Sequence, residues 1–134
     1  MPYKQSKQSG FTLIELVSVL VILGIIAAVA VPKFINLTDE ARAIQTESIA
    51  KSIESASSLN HAVDIANDAG LSNDVPVSVD NCNDGGDLLA DGLPSGYAIT
   101  ASTSPIADKA TEICTLTRSS TSESATFRII GAVP

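Results

Sequence analysis

Residues 9–24 read "SGFTLIELVSVLVILG". They open a run of 21 residues, Phe11 to Val31, in which Glu15 is the only formal charge. As an α-helix this run is roughly 31 Å long at about 1.5 Å per residue, enough to cross the hydrocarbon core of a bilayer. A carboxylate in such a place costs about 2.5–3.5 kcal/mol on insertion scales. The stretch predicts a membrane-length helix with one costly acid near its start, and the acid needs a reason.

The flanks give the run a direction. Lys4 and Lys7 precede it without any acid in residues 1–10, and Asp39 and Glu40 follow it. The positive-inside rule then places the N-terminus in the cytoplasm and the body outside. A cleaved secretory signal is one alternative, with Ala28-Val29-Ala30 as its cleavage site. Its apolar core would be unusually long, and a glutamate inside it is out of place. A plain membrane anchor is the other alternative, and it leaves Glu15 without a role.

A third reading uses all of these features. The short basic leader, the Gly10–Phe11 junction and Glu15 at the fifth position after it resemble the processing site of type IV prepilins. The resemblance implies cleavage between Gly10 and Phe11 by a prepilin peptidase, with methylation of the new Phe11 amine. It implies that Glu15, one helical turn after Phe11, pairs with the Phe11 amine of a neighbouring subunit during assembly. Buried ion pairs contribute little net stability but specify register well. Gly24 and Pro32 fall where this family has its helix-weakening residues. Pro32 removes a helical N–H, and Gly24 lowers helix propensity by about 1 kcal/mol relative to Ala. "VPKFINLTDEARAIQTESIAKSIESASSLN", residues 31–60, resembles the mannose-sensitive haemagglutinin branch of the type IVa pilins.

Residues 33–68 are expected to continue as an amphipathic helix. Phe34, Leu37, Ala41 and Ile44 form an apolar stripe that resumes at Ile49, Ile53, Ala56, Leu59 and Val63. Glu47 and Lys51 make a favourable i, i+4 pair, and Gly70 is a suitable stop. From Leu71 the composition shifts to Gly, Ser, Thr, Asp and Pro. Alternating runs at 75–79, 97–101 and 125–129, and a β-branched run at 113–117, predict three or four antiparallel strands. Cys82 and Cys114 are expected to form one disulfide if the body is exported, or to stay as two thiols if it is not. A loop of about 33 residues closed in this way contributes roughly 3.7 kcal/mol on the chain-entropy formula.

The expected architecture is therefore α+β. Residues 1–10 form a leader, 11–32 a transmembrane and filament-core helix, 33–68 its amphipathic half, and 69–134 a disulfide-stapled β head. The formal net charge of −7 disfavours nucleic acid as a partner of the body. His61 is a lone histidine, so a metal role is not expected. Asp80-Asn81-Cys82-Asn83-Asp84-Gly85 lacks the ligand pattern of a calcium loop and reads as a polar turn. Asn36-Leu37-Thr38 matches a glycosylation pattern by chance, and 119–122 reads as a loop. No nucleophile–base pair or phosphate-cradling loop suggests an enzyme, and no cofactor is expected.

The resemblance implies a structural subunit that polymerises through its N-terminal helix into a surface pilus for attachment. Its implied partners are other copies of itself, the prepilin peptidase, and the inner-membrane assembly platform with its ATPases. The subunit would wait in the inner membrane with its head in the periplasm before joining an extracellular pilus. The alternative is a pseudopilin of a type II secretion system, which shares the features of residues 10–32.

Overall fold

The computed structural model describes residues 10–133; the leader lysines Lys4 and Lys7 lie outside them. A single helix, α1, runs over Leu13–Asp68. A short 3-10 turn follows at Cys82–Gly86, and then strands β1 (Tyr97–Ile99), β2 (Thr111–Arg118) and β3 (Ser124–Ile130). The chain divides into two compact units, Met1–Asp39 and Glu40–Pro134.

Among the described side chains of the first unit the large apolar ones are exposed, from Phe11 and Leu13 to Phe34 and Leu37. By length and composition this segment can cross a membrane. The helix continues through both Gly24 and Pro32. Open space surrounds the position that a Cβ at Gly24 would take, so nothing packed within the chain requires glycine there.

The second unit is the head. Its sheet has the order β1-β2-β3, antiparallel throughout. In the register of the longer pair, Cys114 faces Phe127 and Ile113 faces Arg128. Leu116, Phe127 and Ile129 pack on Ile53 and Ala50 of α1, with Val79, Ile106 and the two cysteines completing the core. Gly85 lies in close contact here. A Cβ on it would meet Ile53 Cγ2 at 3.1 Å and Phe127 Cε2 at 3.3 Å.

The face that α1 buries differs from the expected stripe. Thr46, Ala50, Ile53, Ser57 and Asp64 are buried, whereas Ile44 and Leu59 are 60% and 68% exposed. The cause is close approach to the strands, which small and hydrogen-bonding side chains permit. Ser57 Oγ accepts the Ile130 N–H at 2.9 Å, and Glu54 Oε2 accepts the Arg128 N–H at 3.3 Å. Two backbone donors of the outer strand β3 are thereby satisfied by the helix.

Three further expectations change. Lys51 pairs with Glu54 at 3.0 Å rather than with Glu47, because Glu54 is already fixed against the Arg128 N–H. The run at 75–79 forms no strand; Val79 makes an isolated antiparallel bridge with Ala132, beyond the end of β3. Instead, the Asn60 amide donates to the Val77 carbonyl and accepts the Val77 N–H, both at 2.8 Å. One side chain thus replaces a strand partner. The run at 97–101 shortens to Tyr97–Ile99, and the sheet has three strands.

The helix stops in a Schellman arrangement. Gly70 takes φ of 69°, its N–H donates to the Asn67 carbonyl at 2.9 Å, and the Leu71 N–H donates to the Ala66 carbonyl at 2.8 Å.

Candidate assembly site at the helix start

Gly10 and Phe11 are exposed ahead of the first turn of α1, and Phe11 is 92% exposed. Four free N–H groups at a helix start attract acceptors and negative charge. Thr12 and Glu15 supply both. The Thr12 N–H and the Thr12 hydroxyl each donate to Glu15 Oε2 at 2.8 Å. The Glu15 N–H donates to Thr12 Oγ1 at 3.3 Å. This is a reciprocal capping box, formed by a threonine and a glutamate three residues apart.

The box explains how a single chain carries an acid at the end of an apolar helix. Among the described residues the carboxylate is neither bare nor paired with a cation, because its own first turn solvates it. Only Oε2 is engaged among the described residues, so Oε1 is left for a second donor. Sequence reasoning singled out Glu15 and did not weigh Thr12. The signal was present as T-x-x-E directly before an apolar run.

In the head, Cys82 and Cys114 are bonded, with a Cα–Cα distance of 5.6 Å. Both are buried. The bond ties the 3-10 turn to the central strand β2. The neighbouring turn is closed by its own polar groups. Asp84 Oδ2 accepts the N–H groups of Asp80 and Asn81 at 2.9 and 2.8 Å. Among the described residues no cluster of three or more His, Cys, Asp or Glu is arranged to hold a metal ion.

Two cations fasten the edges of the head. Lys109, in a left-handed backbone conformation with φ of 58°, reaches Asp68 and Asp108, the latter at 2.9 Å. Asp68 first and Asp108 second raise the Lys109 pKa above its ordinary range, and Lys109 holds the Asp108 carboxyl below its usual value. Arg118 lies over the Tyr97 ring, 5.6 Å from its centre, and donates to Gln45 Oε1 at 3.2 Å.

Residues 5–31 match the family model described as the prokaryotic N-terminal methylation motif. The N-terminal segment is therefore that of the type IV pilin and pseudopilin class. Two relatives show how far the likeness reaches. The type IV narrow pilus major component PilA5 of Thermus thermophilus is 48% identical over 50 residues, covering 37% of this chain and 43% of the relative. The type II secretion system core protein G of Pseudomonas aeruginosa is 43% identical over 53 residues, covering 40% of this chain and 37% of the relative. The chain thus spans less than half the length of either relative. No solved structure matches the chain significantly.

Proposed function

We propose that the chain is a type IV pilin subunit that is cut after Gly10, methylated on Phe11 and polymerised through α1 into a surface fibre used for attachment. The observation that carries this reading is the Thr12–Glu15 box at the head of the exposed apolar segment that begins α1. An exposed apolar surface of this length needs covering, first by lipid and then by other copies. During assembly, Glu15 of an incoming subunit meets the cationic Phe11 amine of a docked one. Close packing of Leu13, Leu16, Val17, Leu20, Leu23 and Ile26 supplies the cohesion. Gly24 and Pro32 mark the stretch of helix that gives way first as the fibre is stretched. Partners in this reading are other copies, the prepilin peptidase, and the inner-membrane platform and ATPases.

A pseudopilin of a type II secretion system is the second reading, favoured by the similarity to core protein G. The higher identity to a pilus component supports the pilin. An intact mass of the mature protein tests the class, and shearing of the cell surface tests the fibre. A chain that starts at Phe11 with one added methyl and is recovered in sheared fibres is expected. A mature protein starting at Val31 would overturn the class. A correctly processed chain absent from the sheared fraction, whose deletion blocks protein secretion, would overturn the pilin in favour of the pseudopilin.

A further inference from the structure

Charge is segregated within the head. No Lys or Arg occurs between Lys51 and Lys109, and residues 74–91 hold Asp74, Asp80, Asp84, Asp87 and Asp91. Asp84 is consumed by the turn it caps, but Asp87 and Asp91 are exposed. They flank Leu88–Ala90 in the loop beside Ile49 and Ser52 of α1. On the other side of the same helix, Lys51 and Glu54 join Ile113, Thr126 and Arg128 in lining a groove. Glu54 is occupied by Lys51 and the Arg128 N–H. Two cations against one carboxylate leave this groove with a net positive charge. Glu47 does not line it. Ile113, 67% exposed, offers an apolar contact in its wall.

At 3.6 residues per turn, Ile49 and Ser52 project to one flank of the face that buries Ile53, and Glu54 and Lys51 to the opposite flank. The acidic loop and the cationic groove therefore lie on opposite sides of the head. Complementary patches on opposite sides of one molecule cannot satisfy each other within it, nor can they form a closed two-fold dimer. Repeated head to tail, they build an open chain.

We infer that the Lys51–Ile113–Arg128 groove of one copy receives the Asp87–Asp91 loop of the next, and that this contact fixes the spacing of heads along the polymer. The inference rests on the polymerising subunit of the preceding section and adds a second interface, made by the heads alone. Its charge pairs act on register and encounter more than on bulk affinity, and they weaken with salt.

The test uses full-length chains in a strain that makes only the variant subunit. Lys51→Glu with Arg128→Glu, and separately Asp87→Lys with Asp91→Lys, should each lower sheared-fibre yield roughly fivefold, the loss that about 1 kcal/mol per contact gives. Combining all four substitutions should restore yield to within about twofold of wild type, as a direct pair does in a double-mutant cycle. Processing at Gly10 and formation of the Cys82–Cys114 bond are followed in every variant, which separates loss of folding from loss of contact. A second measurement places cysteines at Thr126 and Ala90 and oxidises sheared fibres, where a ladder of linked subunits is expected. Wild-type yield from either pair of reversals, failure of the fourfold variant to recover while it is processed and bonded, or no ladder from fibres that form normally would each overturn the contact. Wild-type chains that never form fibres would overturn the pilin reading itself.

Discussion

Ser57 Oγ accepts the Ile130 N–H at 2.9 Å, and Ser57 is 1% exposed. Ser57→Ala leaves that donor buried without a partner, which costs about 1–3 kcal/mol. Ser57→Thr keeps the acceptor but adds a methyl to a tight face, so it should fall between the two. Thermal unfolding of the full chain in detergent, followed by near-ultraviolet dichroism, orders the three. Equal midpoints for serine and alanine would show that the N–H has another partner.

Gly131 should tolerate no side chain. A Cβ there would collide with the Ala107 carbonyl oxygen, which is backbone and cannot swing aside. Gly131→Ala is expected to cost at least the ~1–3 kcal/mol usual for overpacking. Gly92→Ala is the control, because it also carries a backbone penalty, at φ of 71°, but has open space around it. The first should unfold well before the second in a denaturant series.

Loss of the disulfide should be felt more than loss of any surface pair. Cys82→Ser with Cys114→Ser removes a cross-link worth roughly 3.7 kcal/mol and places two hydroxyls in a buried site. On the proposed function, the double variant should be degraded and should sharply reduce fibre yield. Normal yield with free thiols in the parent chain would overturn the argument.

The capping box lets the proposed assembly role of Glu15 be tested apart from its local hydrogen bonds. Glu15→Val should be inserted and cleaved at Gly10 but fail to enter fibres, with Glu15→Asp intermediate. Thr12→Val keeps shape and charge but removes the two hydrogen bonds made by the Thr12 hydroxyl and leaves the one donated by its backbone N–H, at a cost of about 1 kcal/mol for a lost cap. It should also reduce assembly, and Thr12→Ser should restore it. The readout is pilin in sheared and membrane fractions. Wild-type yield from Glu15→Val in a strain without other subunits would remove the charge from the mechanism.

Acid should loosen the clasp around Lys109. Asp108 and Glu54 have folded pKa values below their ordinary 3.8 and 4.5, lowered by Lys109 and Lys51 respectively. A depressed carboxylate contributes its stability fully above the unfolded pKa and loses it as pH falls through the folded one. Lys109 is raised, so its share is present below an ordinary 10.5 and is lost only at strongly alkaline pH. Stability should therefore fall below about pH 4, and less steeply in Lys109→Met. Parallel curves for the two chains in a pH series of denaturant midpoints would deny Lys109 this role.

Some of this fold could be read from the residues, and some could not. The long helix follows from an uninterrupted apolar run and a 3.6-residue period, and Gly70 marked its end. The strands Thr111–Arg118 and Ser124–Ile130 follow from β-branched and alternating residues. The buried face of α1 did not follow, because hydrophobicity locates apolar side chains and not close approach. Thr46, Ala50 and Ser57 look like an exposed polar face until the strands beside them are known. The Val75–Val79 run misled for a related reason, since its partner is the amide of Asn60, 17 residues away from Val77, and no alternation reports that. At the candidate site Glu15 was evident from its cost. Thr12 was legible only to a search for capping pairs, because its energy is local and small.

The covered edge of β3 has a consequence for crowding. In the proposed fibre many heads would be brought together, and an open strand edge in each would invite sheet growth from one head into the next. The Arg128 and Ile130 donors on that edge are already taken by Glu54 and Ser57, and the opposite edge is a strand of only three residues. Amyloid-like association is thus discouraged at both ends of the sheet, so neighbouring heads can meet through side chains without their sheets merging.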